Sequence, residues 1–332
     1  MIRIHAPSPT DAAHRYGPLR LASQPVSLDQ LLAELSLFGS RPLVVPVAAK
    51  VYAPPLVPCP LPPWLSRTTG TLDDRTVTIT ARFDPSAGYA IDLDGGPSFR
   101  VTADGRDITL VHPCPIALDD PFLSQVILGP ALLLALALHG TFALHASAVA
   151  IGGRAAVFLG DSGAGKSTLA AALGSRGGGW QRLADDVLPV ALDADDIAVA
   201  LPEYPQLKLP PEAQYVAGGG RPERVPIAAL YLLDMSPDDA SAPTTAPTAT
   251  PITSASAVTC EPITGSQALT TLIAHTIASR LFAPDLAARH FAFCAAVASA
   301  VPMKRLSYPR RFDAFDAVAA AVASDLGMAQ TG

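Results

Sequence analysis

The stretch "RAAVFLGDSGAGKSTLAAAL", residues 154–173, limits the folds open to this chain more than any other. An apolar run enters a loop of small residues, and a helix-forming run leaves it. The loop fits GxxxxGK followed by Ser or Thr, at Gly160, Gly165, Lys166 and Ser167. Strand, glycine-rich loop and helix in that order belong to an α/β core. Small residues let backbone N–H groups converge on phosphate oxygens, and the helix start adds a favourable dipole. Lys166 has the reach for β- and γ-phosphates, and Ser167 has a hydroxyl for Mg2+. The plain alternative, a glycine turn with a solvated lysine, leaves the match in this context without a cause.

At 332 residues the chain can hold two domains with cores of their own, or one large elaborated domain. Hydrophobic residues make up 49%, charged residues 16%, and the formal net charge is -6, so there is no basic surplus to attract nucleic acid. Cys59, Cys114, Cys260 and Cys294 are dispersed without a CxxC pair, which fits a reducing cytoplasm. The opening "MIRIHAPSPTDAAHRYG" lacks the charged-then-apolar pattern of a secretory signal. The most apolar run, "VILGPALLLALAL" from Val126 to Leu138, is too short to span a bilayer and reads as a buried helix. The expectation is a cytoplasmic protein with neither membrane nor nucleic acid as partner; a homo-oligomer is compatible with the sequence.

From Met1 to about Thr69 proline is dense, which opposes long helices and central strands, although "SLDQLLAELSLFG" (Ser27 to Gly39) has a helical pattern. "RTVTITARF", "GYAIDL", "SFRVTA" and "DITLVH" then alternate apolar and polar residues between turn sequences, the pattern of a β-meander. A small β-rich domain over 1–118 and an α/β domain over 119–332 are expected. "FALHASAVAI", "WQRLADDVLPVAL" and "RVPIAALYLLDM" read as strands. The Ser/Thr/Ala/Pro tract near 236–259 reads as a mobile loop. "SQALTTLIAHTIASRLF", "DLAARHFAFCAAVASAV" and "FDAFDAVAAAVASDL" read as helices, with "MKRLSYP" a short strand before the last.

Beyond the loop, Asp185 and Asp186 in "LADDV" carry the chemistry. Neighbours on a strand face opposite ways, so both meet one ligand only at a strand end. One could then serve Mg2+ and the other take the proton of an attacking hydroxyl. Equally, one could be a metal residue and the other a solvated terminus. His145 in "FALHASAV", a lone histidine on an apolar strand, reads by itself as a satisfied core residue more often than as a catalytic one.

Taken together, "LHASAVAIGGRAAVFLGDSGAGKSTLAAAL" and "RLADDV" resemble the catalytic domain of the HPr kinase/phosphorylase family. The resemblance implies a kinase core similar to the nucleotide-binding core of phosphoenolpyruvate carboxykinase. It implies that Gly160, Asp161, Ser162, Gly163, Ala164, Gly165, Lys166, Ser167 and Thr168 hold the triphosphate of ATP or another nucleotide. It also implies that Ser167 and Asp185 help bind Mg2+, that Asp186 is the general base toward a serine hydroxyl, and that His145 is hydrogen-bonded to an aspartate of the pair.

The match departs after the aspartates. The family's Glu-Ile-Arg-Gly-Leu-Gly type segment is replaced by "LPEYPQLKLPPEAQY", and the N-terminal half does not look like the family's regulatory domain, so neither HPr as substrate nor phosphorolysis is implied. The replacement resembles a group of shorter HPr-kinase-like proteins with "YPxLKL" and "LHAS" blocks, some of which phosphorylate the C-terminal serine of a lasso-peptide precursor. A peptide substrate is the implied partner. Lys208 in "YPQLKL" suits a polar group reaching phosphate or a substrate carboxylate, or a solvent-facing lysine. Arg305, Arg310 and Arg311 could clamp an acidic substrate or form a solvated run.

Overall fold

The computed structural model of the chain describes residues 64–72, 75–94, 96, 98–111, 127–202, 204, 206, 223–233, 258–309 and 311–328, with short strands at 4–5, 20–21, 26–27 and 48–51. Two short strands, β1 (Ile4–His5) and β2 (Arg20–Leu21), pair with each other. The first sheet contains β3 (Val26–Ser27), β4 (Ala48–Val51), β5 (Trp64–Leu72), β6 (Arg75–Asp84), β7 (Gly88–Leu93), β8 (Ser98–Val101) and β9 (Asp107–Val111). Its order is β3-β4-β9-β8-β7-β6-β5, and β6 to β9 form the meander that alternation predicts. Phe99 and Val101 face the core while Ser98 and Arg100, which alternate with them, do not. The β6–β7 turn needs a glycine: Gly88 has φ +91, and a Cβ there would stand 2.2 Å from the Val101 carbonyl oxygen. Strand β5 has no alternation to announce it; it is held by pairing along β6. Ser27, expected to cap a helix, lies in β3, and the rest of that expected helix falls outside the described residues.

The second sheet is nine-stranded: β10 (Phe142–Leu144), β11 (Ser147–Ile151), β12 (Arg154–Leu159), β13 (Gln181–Ala184), β14 (Leu188–Leu192), β15 (Ala198–Ala200), β16 (Val225–Leu233), β17 (Thr259–Ile263) and β18 (Met303–Ser307). Strands β12, β16 and β18 run parallel and side by side, so their C-terminal ends share one rim. Each of the expected strands "FALHASAVAI" and "WQRLADDVLPVAL" is interrupted, giving β10 then β11 and β13 then β14. The register survives the interruption: Leu144 pairs with Leu188 and Ala148 with Ala184, so 145–147 lies opposite 185–187 in one antiparallel ribbon with a gap in its ladder.

Helices cover both faces of this sheet. Along β12, Ala156 and Phe158 point into the core under α2 (Lys166–Gly174) and α5 (Phe315–Asp325). Ala155, Val157 and Leu159 point the other way, into the core shared with α1 (Leu132–Leu138), α3 (Gly265–Ala274) and α4 (Pro284–Ala300). The helix expected over "SQALTTLIAHTIASRLF" ends at Ala274, because tertiary bonds override its pattern. Ile277 N–H donates to the Ala143 carbonyl at 2.8 Å, and Ala278 turns at φ +62.

The second of these cores also contains Tyr89, Ile91, Phe99 and Val101 of the first sheet. Helix α1 is buried from Leu132 to Ala137, which explains a sequence apolar all round. Ala283 N–H donates to Tyr89 Oη at 3.3 Å, adding a polar tie. The expected boundary near Leu118 and residues 236–257 of the expected mobile loop lie outside the described residues. No helix among the described residues is long and apolar enough to cross a membrane.

A core common to both sheets makes their unfolding coupled. Leu134→Ala, at a fully buried site on α1, should cost about 2–5 kcal/mol and shift circular dichroism and tryptophan fluorescence together in a urea titration. Two separated transitions would contradict the shared core.

Candidate functional site

The glycine-rich loop hangs on the rim where β12 ends. Gly160, Gly163 and Gly165 have φ of +147, +82 and +88, a left-handed series that coils the backbone before Lys166 begins α2. Asp161, Ser162 and Gly163 are exposed, as are Ser167 and Thr168 on the first turn of α2, while Ala164 packs inward. The first amides of a helix lack intrahelical acceptors. Lys166 is 6% exposed, and its ammonium donates to the carbonyls of Gly160 at 2.7 Å and Asp161 at 3.1 Å.

The ribbon's gap lies beside the loop. Lys166 Nζ is 3.2 Å from His145 Nε2. An ammonium can only donate, so Nε2 accepts and the ring proton is on Nδ1. Nδ1 then faces Asp186, 3.2 Å from its carbonyl oxygen and 3.3 Å from Oδ1. Lysine, histidine and aspartate therefore stand in a line, with the His145 and Asp186 side chains partly exposed at 36% and 28%.

Asp185 has a different environment. It is buried; Ser147 Oγ donates to its Oδ1 at 2.8 Å, and Arg182 Nη2 lies 2.8 Å from its Oδ2. Its N–H, having lost a ladder partner, donates to Gln206 Oε1 at 2.8 Å. Gln206 Nε2 donates to the carbonyls of Val187 and Tyr204, both at 2.9 Å. One buried glutamine thus brackets the aspartate pair. Between its anchors Asp186 takes φ +83, a left-handed conformation that Asp adopts more readily than most residues.

The gap is braced from α3 and α4 as well. His145 N–H donates to the His275 carbonyl at 2.7 Å, and Thr276 bridges Leu144. Burial, then the charge of Lys166, lowers the pKa of His275, while Asp161 opposes the shift. His290 Nε2 is 2.9 Å from Thr276 Oγ1 and 3.2 Å from Cys294 Sγ. Burial lowers the pKa of His290 and pushes that of Cys294 up to about 12, so this cysteine is a packed thiol rather than a nucleophile.

The structure thus brings together Gly160 to Thr168, His145, Asp185 and Asp186. Arg305 lies on β18, opposite Leu232 and Glu261, and Lys208 and Arg310 fall outside the described residues. Sequence reading missed Ser147, Arg182, Gln206 and His275. Ser147 was legible in principle, since the register that aligns the ribbon places it opposite Asp185. Among the described residues no group of three or more His, Cys, Asp or Glu could hold a metal. Mg2+ makes a smaller demand, one or two protein oxygens beside phosphate oxygens and water, and the exposed Ser167 hydroxyl is one such oxygen.

No family model matches the chain, and no curated protein matches it. Among solved structures it is similar to the Hpr(Ser) kinase/phosphatase from Coxiella burnetii, at 13% identity over 55% of this chain and 94% of that one, with a TM-score of 0.28. A likeness at that level leaves the mixed α/β fold to be argued from its own sheets.

Gln206→Ala should leave buried groups on both sides of Asp186 without their partner, at a cost of about 1–3 kcal/mol, read from urea midpoints. His290 gives a pH signature. Its pKa is depressed in the folded state, so the unfolded chain binds more protons below the ordinary value of 6.5. Stability should be complete above that pH and fall as pH drops toward the depressed value, by at most about 1.4 kcal/mol per pH unit. His290→Gln should remove that part of the slope.

Proposed function

We propose that the chain is a kinase that uses ATP and Mg2+ to phosphorylate a serine hydroxyl of a peptide, in particular the C-terminal serine of a lasso-peptide precursor. The observation that carries the kinase reading is the line of Lys166, His145 and Asp186 at the mouth of the glycine-rich loop, within 3.2 and 3.3 Å of one another. The sequence resemblance supplies the peptide.

In this reading the loop amides and Lys166 bind the triphosphate, and Lys166 exchanges its present carbonyl partners for phosphate oxygens. Ser167 and Asp185 would hold Mg2+, which would supply neutralisation of charge on the phosphates. Asp185 shares its carboxylate with Arg182, which fixes its orientation. Asp186, the less buried carboxylate, accepts the serine proton as the serine oxygen bonds to the γ-phosphorus and the β–γ bridging bond breaks. His145 positions Asp186 through Nδ1. Positioning and charge neutralisation supply most of the acceleration.

Asp186→Asn keeps a side chain that tolerates the left-handed backbone. It should lower phosphotransfer by at least about a hundredfold while nucleotide affinity, measured by calorimetry, stays within about twofold of wild type. Full transfer by this variant would remove the base assignment. Substrate class is read by offering a serine-ended peptide, the same peptide ending in alanine, and a panel of small hydroxy compounds. Labelling of the serine peptide alone supports the proposal; labelling of a small compound alone makes the protein a small-molecule kinase. Nucleotide hydrolysis without transfer to any acceptor makes it a nucleotide-dependent switch.

A further inference from the structure

We infer that an aromatic ladder beside the glycine-rich loop, ending on Phe312, is the stacking platform for the base of the bound nucleotide. The inference rests on the phosphate-binding reading of the loop and adds to it the part of the ligand that reading leaves unplaced.

Tyr308 follows β18 on the rim shared with β12 and β16, where open α/β sheets bind their ligands. Its hydroxyl stands 3.7 Å from the position a Cβ on Gly165 would occupy, so it lies beside the turn that opens α2. From Tyr308 the ladder steps 6.2 Å to Phe315 at the start of α5, and 5.7 Å from Phe315 to Phe312, edge to face. Phe312 is 82% exposed, the most exposed large apolar side chain among the described residues.

Polar contacts tie the helix that carries Phe315 to its neighbours. Asp316, next to Phe315, pairs with Arg176 just beyond α2. At the far end of α5, Asp325 accepts from Tyr231 Oη at 2.7 Å and pairs with Lys304 of β18. An exposed ring, reached from the phosphate loop through successive ring contacts, offers a planar ligand one face to stack on. A single exposed ring is small for a protein partner, which needs a far wider patch, and suits one base. Stacking tolerates any base because every base has a π-face, so the platform favours nucleotide over bare phosphate without choosing strongly between ATP and GTP.

The test compares ATP, GTP and inorganic tripolyphosphate by calorimetry on the full chain, with wild type, Phe312→Ala, Phe312→Trp and Lys166→Ala. Base stacking predicts that Phe312→Ala weakens ATP and GTP about tenfold or more and leaves tripolyphosphate unchanged, that Phe312→Trp retains wild-type affinity, and that Lys166→Ala weakens all the ligands. Unchanged ATP affinity in Phe312→Ala, with tripolyphosphate still dependent on Lys166, overturns the platform and leaves the phosphate loop standing. Equal loss of ATP and tripolyphosphate overturns it as well, and so does a raised KM for peptide with unchanged ATP affinity. A wild-type protein that binds neither ATP nor tripolyphosphate overturns the loop reading and the platform together.

Discussion

The gap in the antiparallel ribbon, where 145–147 faces 185–187, is the constraint on which the rest of the site depends. A regular ladder would have turned successive side chains to opposite faces and paired every backbone amide. Interrupting it frees amides and carbonyls that must be satisfied elsewhere. Gln206 takes those of Asp185 and Val187, and the His275 carbonyl takes the amide of His145. The replacement bonds come from two distant parts of the chain, Gln206 and the turn at His275. The gap is therefore a junction that forms only when β13, the segment after β15, and the turn after α3 are all in place.

The sheet supplies that condition. From β14 the pairings run through β15, β16 and β12 to β11, and β11 continues through the gap into β10, which pairs with β14 again. The circuit closes on the ribbon, so a shift of register anywhere in it would have to propagate around the ring. Buried Asp185 reinforces the closure, since breaking a buried ion pair by removing one partner costs about 3–5 kcal/mol in general, and its partners Ser147 and Arg182 lie on β11 and β13. Gly174 contributes by having no side chain: a Cβ there would stand 3.0 Å from that of Arg182, a tight approach that glycine avoids where α2 sits over β13.

Local sequence carried the elements whose periodicity matched their environment. The meander alternates because one face is covered, and β12 with α2 is legible because glycine, lysine and serine occur in a spacing few other structures use. The gap was not legible, because "FALHASAVAI" and "WQRLADDVLPVAL" are each apolar enough to read as one strand. What interrupts them is a set of long-range bonds from Gln206 and His275, and a glutamine in "YPQLKL" carries no local mark of that task. The end of α3 at Ala274 has the same cause: residues 275–278 have helix-compatible neighbours and are pulled out by bonds to β10.

The two aspartates, indistinguishable in "LADDV", are separated by those same bonds. Asp185 points into the ribbon, where Ser147 and Arg182 take its oxygens, and it has little freedom to move. Asp186 is held at its backbone on both sides, yet its carboxylate reaches a histidine that is itself partly open to solvent. A group that accepts a proton from an incoming hydroxyl has to be fixed in position and still accessible. A left-handed residue between buried anchors meets both demands. The neighbouring positions on a regular strand could not, because one would be buried with the sheet and the other turned away from the loop.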